Sequence, residues 1–230
     1  MSDVPVAVSR LGEEDSREAQ SARAVKWLLA QPGGSIVVVT PRRAVESASV
    51  KRLIAHPQVQ HYAWRGFHGG CFDGQRVLSA WPDREHLNQL WNVEADAIAV
   101  IEWGTEETAE WIDDVNPIQL FPNETIASSP CARTELEPLP NGVDEILESV
   151  AAWAAGYESG LKWNEEDKLK ADMMNRPDRW VPVTVEQVRD KCRALGMRGA
   201  DVDTIACFLQ RRKDGHRFSV GSSYRAFKFN

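Results

Sequence analysis

Long apolar runs, paired cysteines and a glycine-rich phosphate loop are all missing from this 230-residue chain. Apolar runs such as Ile36-Val37-Val38-Val39 fall far short of the ~20 residues that a spanning helix needs, so no membrane partner is expected. The four cysteines, Cys71, Cys131, Cys192 and Cys207, contain no C-x-x-C pair. That argues against a disulfide framework or a four-cysteine zinc site. The first residues carry neither a basic n-region nor an apolar h-region, so the expected location is the reducing cytoplasm. No G-x-S-x-G nucleophile elbow is present. Gln31-Pro32-Gly33-Gly34-Ser35 precedes an apolar run instead of following one, and Thr40-Pro41-Arg42-Arg43 after that run has no glycine. Neither a phosphate-binding loop nor a dinucleotide fingerprint is supported, and no cofactor is expected.

What is present is ordinary globular composition, 43% hydrophobic and 27% charged, which excludes a disordered tail or a collagen-like repeat. The charge is split. The whole chain carries −7, yet residues 151–230 hold 15 Lys+Arg against 11 Asp+Glu, which leaves −11 on residues 1–150. Residues 176–230 alone hold 12 basic and 6 acidic residues. A basic end attracts DNA or RNA at long range, whereas the acidic part repels it and suits a protein partner.

Residues 1–20 are polar and acidic and are expected to be mobile, up to a helix starting near Ser16 or Ser21. From there strands and helices alternate through residue 121. Ser35 to Thr40 is β-branched without alternation, as in a strand buried on both faces. Further strands are expected at 59–64, 96–103 and 118–121, with helices at 43–55, 84–91 and 106–115. Asp73-Gly74 between Gly69–Phe72 and Arg76–Trp81 reads as a hairpin turn. This order predicts an acidic α/β domain over 21–121 with a mainly parallel sheet, Rossmann-like or RecA-like but lacking the P-loop. Within it, Ile36 to Arg43 is similar to the strand-Thr-Pro-Arg step of helicase-type domains, over those few residues alone. A Pro-rich linker over 122–142 is expected to separate it from a basic domain over 143–230.

In the second domain, apolar stripes predict helices at 143–157, 163–174, 184–195 and 201–213, the third opened by the capping box Thr184-Val185-Glu186-Gln187. Arg217–Val220 and Tyr224–Phe229 read as two strands joined by Gly221-Ser222-Ser223. Helix, turn, helix and ribbon in this order resembles a winged-helix module. Such modules bind DNA through the second helix and the wing. The resemblance implies backbone contacts from Arg211, Arg212, Lys213, Arg217 and Arg225. Asp201 and Asp203 at the start of that helix would oppose entry into a groove.

Tryptophan is the other unusual feature: there are nine, and Trp64, Trp81 and Trp103 each end a predicted strand. In a parallel sheet these ends form one edge, where open α/β sheets bind ligands. The edge would present Thr40, Arg42, Trp64, Arg65, Trp81, Asp83, Glu102 and Trp103, and aromatics beside arginines clamp a nucleotide-like ligand. The competing explanation is that the indoles are core. His61, His68, Cys71 and Asp73 are metal-capable but match no known ligand spacing, and no metal is expected. Asp96 and Glu102 flank one strand as paired nuclease carboxylates would, but no lysine follows Glu102. The sequence therefore favours a non-catalytic, nucleic-acid-associated regulator or complex subunit. The alternatives are an enzyme or sensor with a ligand at the tryptophan edge, and a protein–protein adaptor.

Overall fold

The computed structural model describes residues 4–65, 72–91, 93–127, 138–155 and 160–229. The chain divides into two compact units, Met1–Cys131 and Ala132–Asn230.

The first unit is an α/β layer. Its strands are β1 (Val6–Ser9), β2 (Ile36–Thr40), β3 (Val59–Ala63), β4 (Arg76–Ala80), β5 (Ala97–Ile101), β6 (Ile118–Leu120) and β7 (Thr125–Ile126). They form one seven-stranded sheet in the order β3-β2-β4-β5-β1-β6-β7. All pairings are parallel except β6–β7. Helices α1 (Arg17–Ala30) and α2 (Ala48–Ile54) follow β1 and β2; α3 (Arg84–Asn88) and α4 (Thr105–Val115) follow β4 and β5.

The connections explain the layering. From β1 through β3 the chain steps one way across the sheet, and from β3 through β6 it steps back. Right-handed crossovers then put the two helix pairs on opposite faces. Ala24 and Leu28 of α1 and Val50 and Leu53 of α2 pack with Val38, Leu78, Ala99 and Ile101 on one face. Leu87 of α3 and Trp111 and Ile112 of α4 pack with Val8, Val39, Val77 and Val100 on the other. Each fully buried aliphatic side chain contributes about 1.5–3 kcal/mol, so this double cover is what holds the sheet.

Two expectations are corrected here. The N-terminal lead is not unstructured throughout: β1 lies inside the sheet, paired with β5 on one side and β6 on the other. Ser16 then caps α1, accepting from the Ala19 N–H at 3.1 Å. The Asp73-Gly74 turn makes no hairpin either. Gly74 does take φ +65°, but its N–H donates to the Glu94 carbonyl at 2.8 Å, and β4 leaves the turn to run parallel to both β2 and β5. Long-range pairing overrides the local turn signal, and Gly69 to Cys71 of the expected hairpin lie outside the described residues.

The second unit is helical: α5 (Val143–Ala155), α6 (Trp163–Asn175), α7 (Pro177–Trp180), α8 (Val185–Ala194) and α9 (Gly199–Lys213). Their stripes share one core around Ile146, Leu147, Leu169, Met173, Trp180, Val188, Ile205 and Leu209. The capping box forms, with both the Thr184 and the Gln187 side chains engaged. Tyr157, at the expected end of α5, lies outside the described residues.

The expected two-stranded wing is a further correction. No strand occurs among the described residues of this unit, and 222–224 is a single 3-10 turn. The reason lies in α6. Asp167 accepts the Gly221 N–H at 2.8 Å and Asp172 accepts the Phe229 N–H at 2.9 Å. Asn175 donates to the Arg225 and Phe227 carbonyls at 2.9 and 3.0 Å. Side chains of one helix take the backbone groups that a ladder would have used, and Phe218 and Phe229 pack against the helical core.

Candidate functional site

Parallel pairing brings the ends of β2, β4 and β5 to one edge, with Thr40 opposite Ala63 and Ala80 opposite Ile101. One change of layer then decides which aromatic faces which way. Along β4, Leu78 and Ala80 face the α1/α2 layer. Strict alternation would send residue 81 to the other face. Trp81 instead takes φ +56°, and its ring packs on the α1/α2 side with Ala80. A left-handed conformation costs a bulky residue about 1–2 kcal/mol, and such strain clusters at binding sites. Trp103 follows the alternation from Ile101 and remains 57% exposed.

These residues line a pocket of ≈ 430 Å³, within the range of small-ligand sites. Its walls come from the first turn of α1 (Arg17, Glu18), the loop after β2 (Pro41, Arg42, Glu46, Ser47) and the two indoles. The Arg17 guanidinium lies 4.8 Å from the Trp103 ring centroid and donates to the Glu102 carbonyl at 3.2 Å. Gln20 fixes the same carbonyl from below, donating to it at 2.9 Å and to the Ser9 carbonyl at 2.8 Å. The Arg42 side chain makes no hydrogen bond or ion pair among the described residues.

Glu18 closes one wall. Its carboxylate accepts from the Ser47 hydroxyl at 2.8 Å and from the Ala48 and Ser49 N–H groups at 2.9 and 2.7 Å, and the Ser49 hydroxyl adds a fourth bond. Burial alone would raise its pKa, but the bonds from Ser49, Ser47 and the α2 N-terminus outweigh burial and hold it below the ordinary value of 4.5. The sign follows: with the folded-state pKa lowered, the stabilisation is complete above the unfolded value and is lost as pH falls through the folded one. In unfolding measurements over about pH 3–7, Glu18→Gln should fall short of wild type most at neutral pH, and the gap should begin to narrow only as pH falls to about 4.5 and go on narrowing below it. A gap independent of pH would contradict this role.

The other expected edge residues are placed differently. Thr40 is buried; its hydroxyl donates to the Arg42 carbonyl at 2.6 Å and shares a 2.7 Å hydrogen bond with His61 Nε2. Burial first, then the Arg43 charge, lowers the His61 pKa. Trp64 lies in the α3/α4 layer, stacked on His86 at 3.8 Å between centroids. Asp83 caps α3, accepting the His86 N–H at 2.9 Å. Arg65 sits in an exposed turn. Glu102 is buried at the ends of β1 and β5, held by Arg10 Nε at 3.2 Å and by the Thr108 hydroxyl. Of the eight, Arg42, Trp81 and Trp103 line the pocket. Arg17 and Glu18 were not anticipated, because only β1 brings the start of α1 to this edge.

The carboxylate pair is also separated. Asp96 precedes β5 and accepts the Gly34 N–H at 2.7 Å, while Glu102 follows it. At ~3.3 Å per residue they stand about 20 Å apart, too far to share a metal. Among the described residues no three His, Cys, Asp or Glu side chains converge as a metal site, and His68 and Cys71 lie outside them. The Cys192 thiol is pushed up to about 12 by burial and by Asp201, so it is no thiolate nucleophile.

The basic residues of the second unit end α9 and continue beyond it. Arg211 lies 5.5 Å from the Phe218 ring centroid. Arg212 donates to the Met173 and His216 carbonyls at 3.3 and 3.4 Å, and Lys213 to the Val181 carbonyl at 3.2 Å. Arg217 and Arg225 are exposed. At the other end of α9, Asp201 accepts the Leu161 N–H at 2.9 Å and Asp203 pairs with Arg189 at 3.1 Å. Compared with known protein families, with curated proteins and with solved structures, the chain matches none.

Proposed function

We propose that the first unit binds a nucleotide-like ligand in the pocket at the carboxyl edge of its sheet. The observation that carries this reading is the pairing of an exposed Trp103, already covered by a guanidinium, with a Trp81 turned into the same pocket against its backbone preference. Indole faces take a planar base. Arg42, whose guanidinium has no partner among the described residues, suits a phosphate. Glu46 offers an acceptor for a ribose hydroxyl or an amino hydrogen. This is a binding site and not a catalytic one in our reading, because Glu102 is buried and tied to Arg10 and Thr108.

The basic end is the second-ranked reading. Contact with a DNA or RNA backbone draws on Arg211, Arg217 and Arg225, whereas Arg212 and Lys213 already hold carbonyls. The test of the leading reading is calorimetric titration with nucleoside monophosphates. Trp103→Ala should weaken binding by about 1–3 kcal/mol, the worth of one base–aromatic stack. Arg42→Ala should weaken nucleotide but not nucleoside. Equal affinity in wild type and Trp103→Ala, or no saturable binding of any nucleotide, would overturn it.

A further inference from the structure

A second, larger cleft of the first unit opens between α1 and α2 at the other end of the strands. Its volume is ≈ 1170 Å³. The floor is apolar, made by Val25, Leu29 and Leu53, with Ile36 and Val59 beneath, and Leu29 is 52% exposed. The rim is cationic. Lys26 and Arg52 are exposed; Lys26 has no partner among the described residues, and Arg52 uses only Nε, on the Ala48 carbonyl at 3.4 Å. His56 Nδ1 accepts the Gln58 N–H at 3.3 Å, which leaves Nε2 carrying the hydrogen and available as a donor. Arg76 lines the inner end, spending its donors on the Gly34 and Gln31 carbonyls.

Among the described residues no aspartate or glutamate lines this cleft; the nearby carboxylates of Asp96 and Glu18 are engaged by the Gly34 and Ser49 N–H groups. That is a selective absence, because residues 1–131 hold 18 acidic residues against 11 Lys+Arg. A cationic rim over an apolar floor, set in an acidic unit, is complementary to a molecule with one anionic group and an apolar body. We infer that the α1/α2 cleft is a binding site for an amphiphilic organic anion, its apolar body on Val25, Leu29 and Leu53 and its anionic group at Lys26, Arg52 and His56.

The probe is anilinonaphthalene sulfonate, an apolar aromatic body with one sulfonate, titrated by fluorescence into the 230-residue chain. Saturable binding at one site per chain is expected. The doubly charge-reversed Lys26→Glu/Arg52→Glu variant should weaken it at least about tenfold, because like charge would then face the sulfonate. Phenylnaphthylamine, the same ring system without the sulfonate, should bind several-fold more weakly to wild type and equally to both proteins. Trp103→Ala should leave sulfonate binding unchanged, which separates this site from the edge pocket. Unchanged affinity in the charge-reversed variant, loss on Trp103→Ala, or no saturable binding to wild type would each overturn the inference.

Discussion

Asp172→Ala should destabilise the second unit by about 3–5 kcal/mol, the usual consequence of removing one partner from a buried charged network. Asp172 is fully buried on α6. One carboxylate oxygen accepts the Trp180 indole N–H at 2.9 Å, and the other accepts the Phe229 N–H at 2.9 Å. The Arg179 guanidinium approaches to 3.6 Å, and its Nη1 has no hydrogen-bond partner among the described residues. Alanine would leave an indole donor and a backbone donor without an acceptor and a largely buried guanidinium without its counter-charge, and each carries a desolvation cost. It would also release the C-terminal segment from α6, so proteolysis near Phe229 should accelerate together with the loss of thermal stability. Asp172→Asn keeps an oxygen acceptor for one donor and should lose less. Melting of Asp172→Ala within about 0.5 kcal/mol of wild type would contradict this role for α6.

Val8→Asp should be at least as damaging to the first unit, above about 4 kcal/mol. Val8 is fully buried, with Val100 beside it on β5 and Gln119 on β6. A carboxylate there would have no partner in the α3/α4 layer, which surrounds it with Leu, Val and Trp side chains. The check is loss of the cooperative melt of this unit. A surface-like effect at position 8 would mean that β1 is not part of the sheet.

That second expectation marks where reading the sequence ran out. β2 and β5 were legible because apolar runs without alternation, Ile36–Val39 and Ala97–Ile101, report burial on both faces. β1 has four residues behind Pro5 and ahead of the acidic stretch Glu13-Glu14-Asp15, too short to show a period. Missing it also hid Arg17 and Glu18, whose place at the edge depends on α1 following β1. The helices of the second unit were legible from their stripes, and α8 from its capping box. The C-terminal segment was not. Arg217-Phe218-Ser219-Val220 alternates as an edge strand does, but strand pairing is a long-range property: the Phe218 N–H donates to Met174 Sδ, and further on Asp167, Asp172 and Asn175 engage the backbone of Gly221, Phe229 and Phe227. At the edge, the tryptophans at strand ends were visible as residues. Their division between the two faces was not, because it rests on the single left-handed residue Trp81 and on the stacking of Trp64 with His86.

The ligand site is tested most directly by the indole N–H resonances of the tryptophans in a two-dimensional ¹⁵N–¹H spectrum, followed as a nucleoside monophosphate is added. The resonances of Trp81 and Trp103, each assigned by substitution, should shift together and saturate at one ligand per chain. Those of Trp64, Trp111 and Trp180, held in the α3/α4 layer and in the helical core, should stay in place. Shifts confined to Trp153 and Trp163, exposed on the second unit, would place the ligand elsewhere and contradict the account. A spectrum unchanged at saturating nucleotide would contradict it equally.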